Sequence, residues 1–411
     1  MTLEPDEILS LLEPVESLNL FPMENRMSPR AIRALAADAV HRYPGSEADD
    51  HFFGDVQGLR TVFDACVSVA KAYFGASYAC ISFLSGLQTM HAVVTALCRY
   101  GDRVLVLDPR GGGHYATATI CEGYGYDYGF LPFDRESCLI DTAALESNVS
   151  ERPPRMVYLD CSHVIRLPRI AELRRVVGPD PYICLDASHI FGILLDCPEG
   201  TGLEAGASSC SGSTHKTLPG PQKGMFLTND ATVAEKLEAR LPFVVSNAHS
   251  NSVAALAITL AELMPHRYAY AAQVRRNARA FGRALHERGF DVQGASFGFT
   301  ETHQVWVAPP IGVPGKEWGK RLCSVGVRST TVALPTNRRL GVRLGVQELT
   351  RLGMREEEMD EIASIFERVL LRDEASAAPR DIASLNRRFR DVQFITARSG
   401  ERSAPVAGQL R

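Results

Sequence analysis

Five short runs between residues 60 and 235 are apolar almost from end to end: "YACISFL", "DRVLVLD", "RMVYLD", "YICLDAS" and "GMFLTND". A strand with one wet face alternates polar and apolar residues, so continuously apolar runs predict strands covered on both faces. Helix-like stretches of about 12 to 18 residues separate several of these runs, the spacing of strand–helix–strand units. The pattern predicts an α/β fold with a mostly parallel sheet between two helical layers. It also says where chemistry belongs, because ligands of open α/β sheets gather outside the carboxyl ends of the strands.

At 411 residues the chain exceeds one ordinary domain. The first forty residues read as helical, with "PDEILSLLEPV" and "SPRAIRALAADAVHRY" carrying apolar residues three and four apart. Ser28 is an N-cap candidate there, with Pro29 at the first helical position. Beyond "NAHSNSVAALAITLAELM" and the long helical "YAAQVRRNARAFGRALHERG", the runs "HQVWVAP", "GVRSTTVAL" and "GVRLGV" read as strands and "EEEMDEIASIFERVLL" as a closing helix. The expected division is an N-terminal helical segment (1–50), a large domain (51–254), a smaller α+β domain (255–390) and a polar tail (391–411). A net charge of −4 gives no electrostatic footprint for nucleic acid or an anionic membrane surface. No apolar run approaches the roughly 20 residues of a spanning helix, and no leader is evident, so the expected compartment is the cytoplasm. Ten scattered cysteines without a C-x-x-C pair suggest reduced, mostly buried thiols and no metal site.

Three features converge on the sheet region. In "SGSTHKTLPGPQKG" (211–224), Ser211, Ser213, Thr214 and Thr217 surround Lys216 with short hydroxyls, while Pro219 and Pro221 stiffen the exit. The strand "YICLD" ends in Asp186, followed by His189; an aspartate there can meet a cofactor or cap the next helix. In "FLSGLQ", Ser85 and Gly86 stand where a strand becomes a helix, a place for a phosphate, with Ser85 and Gln88 as side-chain donors. His114 follows a triple glycine after another apolar run. A framed lysine, a strand-end acid and a phosphate turn are what pyridoxal 5′-phosphate (PLP) requires: a Schiff-base amine, a partner that keeps the ring nitrogen protonated, and an anion cradle.

"STHKTLPGPQKG" resembles the lysine motif of serine hydroxymethyltransferases, T-H-K-T-L-R-G-P-R-G-G. "ENRMSP", "SGLQ", "GGGH", "DASH" and "GVRLGVQELTRLGM" are similar to further motifs of that family, in the same order. The resemblance implies a fold type I (aspartate aminotransferase-like) PLP enzyme that works as a homodimer or dimer of dimers on a small amino acid. It implies that Lys216 carries the cofactor, Asp186 partners the ring nitrogen, and His114 stacks on the ring. His189 and Ser162 would lie by the ring oxygen. Ser85, Gly86, Gln88 and His215 would surround the phosphate, with Tyr43 and "SNAHSNS" entering from the neighbouring subunit. Arg343 would clamp the substrate carboxylate, while His163, His249 and His303 read as structural.

Departures from the family pattern narrow the expected reaction. The family's glutamate two residues after the tyrosine is Gly45 here, with Glu47 near but not aligned. Its paired tyrosines are Phe52 and Phe53, the second histidine of G-G-H-x-x-H is Thr117, and Pro219 replaces an arginine. Folate-dependent transfer between serine and glycine is therefore not expected. "THKTLPGPQKG", "SFGFTETHQV" and "GVRST" look like the L-threonine transaldolases of natural-product pathways, which cleave threonine and add the glycine carbanion to another aldehyde. The same region resembles the lincosamide-pathway enzymes that act on an S-glycosyl cysteine by β-elimination or decarboxylative deamination. Transaldolase-type chemistry is the first expectation and cysteine-conjugate lyase chemistry the alternative; a PLP-binding scaffold without turnover is a third reading.

Overall fold

The computed structural model describes residues 4–12, 16–48, 51–55 and 58–396; most of the expected tail, 397–411, lies outside the described residues. Seven strands form the main sheet: β1 (Tyr78–Cys80), β2 (Arg103–Val106), β3 (Asp127–Phe130), β4 (Met156–Asp160), β5 (Tyr182–Asp186), β6 (Ser209–Ser213) and β7 (Gly224–Thr228). Their order is β1-β7-β6-β5-β4-β2-β3. Only β7 runs antiparallel to its neighbours. The sheet is thus mostly parallel, and β4 is buried at every residue, as a strand covered on both faces must be.

All five apolar runs form strands of this sheet. Two members, β3 and β6, carry no such run. In β6, "SCSGS", only one side chain is apolar, yet every residue is buried. Ladders from β5 on one side and β7 on the other satisfy its backbone. Its small side chains let the helix Gly86–Leu97 lie close: a Cβ on Gly86 would come within 2.3 Å of Ser213 Oγ.

A second, antiparallel sheet contains β8 (Asp291–Val292), β9 (Gln304–Ala308), β10 (Thr330–Ala333) and β11 (Leu340–Gly345), in the order β8-β9-β11-β10. Val305 and Val307 of β9 belong to the same buried cluster as Leu105 and Leu159 of the main sheet, so the two sheets share one core. The helix Ser250–Leu263 runs through the expected 254/255 division without a break. At the N-terminus, Ser28 Oγ accepts from Ala31 N–H at 3.1 Å and Pro29 opens the helix Pro29–Leu35, as read from sequence. The expected continuation to Tyr43 instead breaks at Ala36 and resumes as a 3-10 turn, Asp38–His41.

The loops at the carboxyl ends of β2 and β4 interlock through glycine. Gly112 has φ +104°, and a Cβ there would lie 2.4 Å from the His163 carbonyl oxygen. Ser162 and His163 both donate their N–H to the Gly112 carbonyl. Gly112→Ala is expected to lower unfolding free energy by about 1–3 kcal/mol in urea titrations of the cofactor-free protein, since the left-handed backbone strain and the clash act together. Gly123→Ala, where a Cβ meets no neighbour within 4 Å, is the control and should change little.

Candidate active site

The floor of the site is set by strand register. Asp186 at the end of β5 pairs with Asp160 at the end of β4 and with Ser211 of β6. Adjacent strands lie about 4.8 Å apart, so two carboxylates enter one buried space. Asp160 is 2% and Asp186 5% exposed. Asp186 Oδ1 accepts from Ser188 N–H at 2.9 Å; Asp160 Oδ2 accepts from His114 N–H at 3.0 Å and from the Thr117 hydroxyl. Burial pushes both acids up. At Asp186 the Ser188 contacts and Lys216 oppose that rise, whereas at Asp160 the hydrogen bonds from Thr117 and His114 are countered by the charge on Asp186. Asp160 is therefore pushed the further of the two, and Asp186 is the member with more contacts that favour its charged form.

Lys216 shares with these acids a cavity of about 240 Å³. Burial pulls its amine down to about 8, with Asp186 opposing and Arg343 adding to the fall. Asn25 of "ENRMSP" holds the lysine from behind, donating to the Lys216 carbonyl at 2.8 Å and the Thr217 carbonyl at 3.2 Å. Of the four hydroxyls around the lysine, only Ser213 lines the cavity. Thr214 donates to the Pro221 carbonyl, and Thr217 accepts from Gly192 N–H while donating to the His189 carbonyl. Those two shape the loop and do not face a ligand.

The phosphate turn forms at the helix Gly86–Leu97. Ser85 caps it, its Oγ accepting from Gln88 N–H at 3.1 Å, and the first-turn N–H groups of Gly86 and Leu87 have no intrahelical acceptor. Ser85, Gly86 and His215 line the cavity. Gln88 does not: its Oε1 accepts from Leu84 N–H and its Nε2 donates to the Val244 carbonyl, so its amide braces the turn from outside. That placement differs from the expected phosphate contact. Sequence shows a donor near the turn but not which way its side chain leaves the helix.

His114, His189 and Ser162 also line the cavity. His114 Nδ1 accepts from Ala116 N–H at 3.2 Å, and burial lowers its basicity. Arg343 stands on β11 opposite Trp306, is 3% exposed, and donates through Nη1 to the Ser162 carbonyl at 3.0 Å. Its Nε has no partner. Tyr43 does not line this chain's cavity and is 67% exposed. His303 bonds the Pro22 carbonyl through Nε2, a structural placement, while His249 stands at the N-cap position of the helix Ser250–Leu263 with no hydrogen bond from its side chain to the helix. His163 and His303 each bury an Nδ1 without a partner, and burial with Arg343 nearby pushes each down to about 3.

These residues fit PLP. His215 Nδ1, Arg343 Nε and Asp160 Oδ1 are buried polar atoms without partners, each costing about 1–3 kcal/mol unless a ligand or water meets it. Carboxylate, amine and anion cradle line one cavity, and the Arg343 guanidinium stands behind its wall on the carbonyl of Ser162, a lining residue. A larger cleft of about 420 Å³ lies elsewhere, but its charged groups are already engaged: Arg169 with Glu301 at 2.8 Å, Arg275 with Asp196 at 2.6 Å, Glu199 accepting from Ile170 N–H and Arg279 donating to the Thr300 carbonyl. Asp160, Asn25 and, on β9, Gln304 are the site residues to which the sequence assigns no role. Asp160 carries the same signal as Asp186, an acid ending an apolar run.

An amine attacks an aldehyde only when neutral. For the cofactor-free protein, the rate of PLP capture is therefore expected to rise with pH through about 8 and level off above it, where an ordinary lysine would keep gaining toward about 10.4. Stopped-flow absorbance against pH checks this; a rate still climbing past pH ~9.5 contradicts the burial argument. Lys216→Ala should show no covalent capture at any pH.

The serine hydroxymethyltransferase family profile matches residues 12–366. The serine hydroxymethyltransferase of Korarchaeum cryptofilum is 32% identical over 401 residues, covering 92% of each chain. That of Methanopyrus kandleri is 34% identical over 387 residues, covering 92% of this chain and 90% of its own. Among solved structures, an L-threonine transaldolase from Pseudomonas fluorescens superposes with a TM-score of 0.85 at 30% identity, over 90% of this chain and 87% of that one. The strand-end acids, the buried amine and these likenesses together establish that the chain belongs to the serine hydroxymethyltransferase family of PLP-dependent, fold type I enzymes.

Proposed function

We propose that this enzyme is a transaldolase of the L-threonine type, which splits the Cα–Cβ bond of threonine, releases acetaldehyde and passes the glycine unit to a second aldehyde. The observation that carries this reading is the packing of Gly45. A Cβ at that position would stand 2.3 Å from Asp55 Cβ, so the family's proton-transferring glutamate has no room there. Asp55 cannot easily move, since its two oxygens accept from Leu59 N–H and Arg60 N–H at 2.8 Å each, at the start of the helix Leu59–Phe74. The structural likeness to an L-threonine transaldolase, at a TM-score of 0.85, is compatible with the same reading.

PLP, when bound, supplies an electron sink for the pair left at Cα. The chain's own residues do the rest. Arg343, buried with a free Nε edge, holds the amino-acid carboxylate as a fork that lysine cannot reproduce. Asp186 would face the ring nitrogen and favour its protonated form. The first-turn N–H groups behind Ser85 receive the phosphate. His114 and His215, pushed down by burial, the latter to about 4, remain neutral at working pH and add no cationic charge to the cavity.

The same reading takes the working unit as a homodimer in the cytoplasm, with residues 51–254 as the cofactor domain and 255–390 as the smaller one. Tyr43, Phe52 and Phe243 are 67, 74 and 78% exposed, a set of rings that a second copy would cover while carrying Tyr43 to its partner's site. Ser250 Oγ donates to the Arg42 carbonyl at 2.9 Å and fixes the backbone beside Tyr43.

Incubating the PLP-loaded enzyme with L-threonine is expected to release acetaldehyde, followed by coupled alcohol dehydrogenase, and to give a new β-hydroxy-α-amino acid when an aromatic aldehyde is added. Thiol and pyruvate from an S-substituted cysteine, with threonine inert, would replace this reading by the lyase one. Serine turnover that requires tetrahydrofolate would return the enzyme to the family's named reaction, and an unperturbed cofactor spectrum with all three amino acids would make it a scaffold. Arg343→Lys should weaken amino-acid binding by about 10- to 100-fold with PLP retained, the size of a lost charge-assisted fork; loss of PLP along with substrate would refute the clamp.

A further inference from the structure

We propose that Gln304 is a positioning residue that fixes the tautomer of His189, so that this histidine carries its proton on Nε2 and offers it to the cavity. Gln304 stands on β9, in the second sheet, and is fully buried. Its amide touches four groups. Oε1 receives Val164 N–H at 3.3 Å and the Trp306 indole N–H at 3.1 Å. Nε2 meets the Ser162 carbonyl at 3.1 Å and His189 Nδ1 at 3.4 Å.

The direction of these bonds follows from chemistry. A backbone N–H and an indole N–H can only donate, so the atom facing both is the carbonyl oxygen. A backbone carbonyl can only accept, so the atom facing Ser162 is the NH₂ group. The amide cannot be reversed without setting donors against donors and an oxygen against an oxygen. Its second N–H then points at His189 Nδ1, which must be the bare, accepting nitrogen. Burial, with Lys216, Arg343, His303 and His163 nearby, keeps the ring neutral. A neutral imidazole with a bare Nδ1 bears its one proton on Nε2.

His189 lines the cavity, and its Nε2 has no hydrogen-bond partner among the described residues. It is therefore a donor to a bound oxygen and cannot accept a proton at that atom while neutral. Which oxygen it holds rests on the functional reading above; the tautomer does not. The amide also joins the two halves of the site, since the Ser162 carbonyl that it holds is the one that Arg343 Nη1 holds too. A second-sheet residue thereby sets the hydrogen-bonding sense of a first-sheet histidine.

The test is the tautomer itself, in PLP-loaded protein labelled with ¹⁵N-histidine and recorded without amino acid, so that failure of the transaldolase reading leaves the result intact. Long-range ¹H–¹⁵N spectra, assigned by loss of the signal in His189→Asn, should show Nε2 protonated and Nδ1 bare. Gln304→Glu places an accepting carboxylate at Nδ1 and should move the proton there; Gln304→Leu should leave a mixture of both forms, and it decides the matter if the Glu variant does not fold. Trp306→Phe, which keeps the Val164 and Ser162 contacts, should retain the wild-type form. A proton on Nδ1 in the wild type, or a pure Nε2–H form persisting in the Gln304 variant that folds, overturns the proposal.

Discussion

Asp186 is a carboxylate held 5% exposed at the end of a central strand, in one cavity with a lysine and within the field of a buried arginine. A lone charge in that place would not survive burial, since desolvation pushes the proton back on. Here Ser188 bonds the carboxylate and Lys216 and His114 stand near it, and these contacts oppose the rise that burial imposes. The parallel register that sets Asp160 beside it makes the acid pair possible, and the cavity is built around that pair.

The second sheet contributes two buried polar side chains that reach the first sheet's loops. Arg343 and Gln304 lie on neighbouring strands, β11 and β9, where Gln304 pairs with Gly345 and Trp306 with Arg343. Both reach the Ser162 loop of the first sheet, and Gln304 reaches His189 as well. The placement of Arg343 and Gln304 against the Ser162 loop and His189 thus depends on how the two sheets dock. That docking rests on apolar residues of both sheets in one shared cluster, Leu159 with Val305 among them.

Much of the fold and of the site is legible in the sequence. The apolar runs mark the strands, the acid ending "YICLD" marks the floor, and "STHKT" marks the amine, because each is a local pattern with a local cause. The strand β6 is not legible, since five small residues resemble a loop until neighbours on both sides supply its ladder. Gln88 looks like a phosphate donor by proximity along the chain, but its amide turns to Leu84 and Val244. Asn25 and Gln304 act on residues 191 and 115 positions away in sequence, separations no periodicity reports.

What the chain determined by itself is the set of chemical parts and their order: an amine in a hydroxyl-rich frame, acids at strand ends, a glycine turn before a helix and a basic fork near the end. These follow from side-chain chemistry and from the short-range rules of strands and caps. The tertiary structure alone decided which of them share a cavity, which acid burial pushes up further, and why Gly45 has no room for a side chain. Those outcomes depend on burial and on contacts between distant segments, and both exist only once the two sheets have closed on each other.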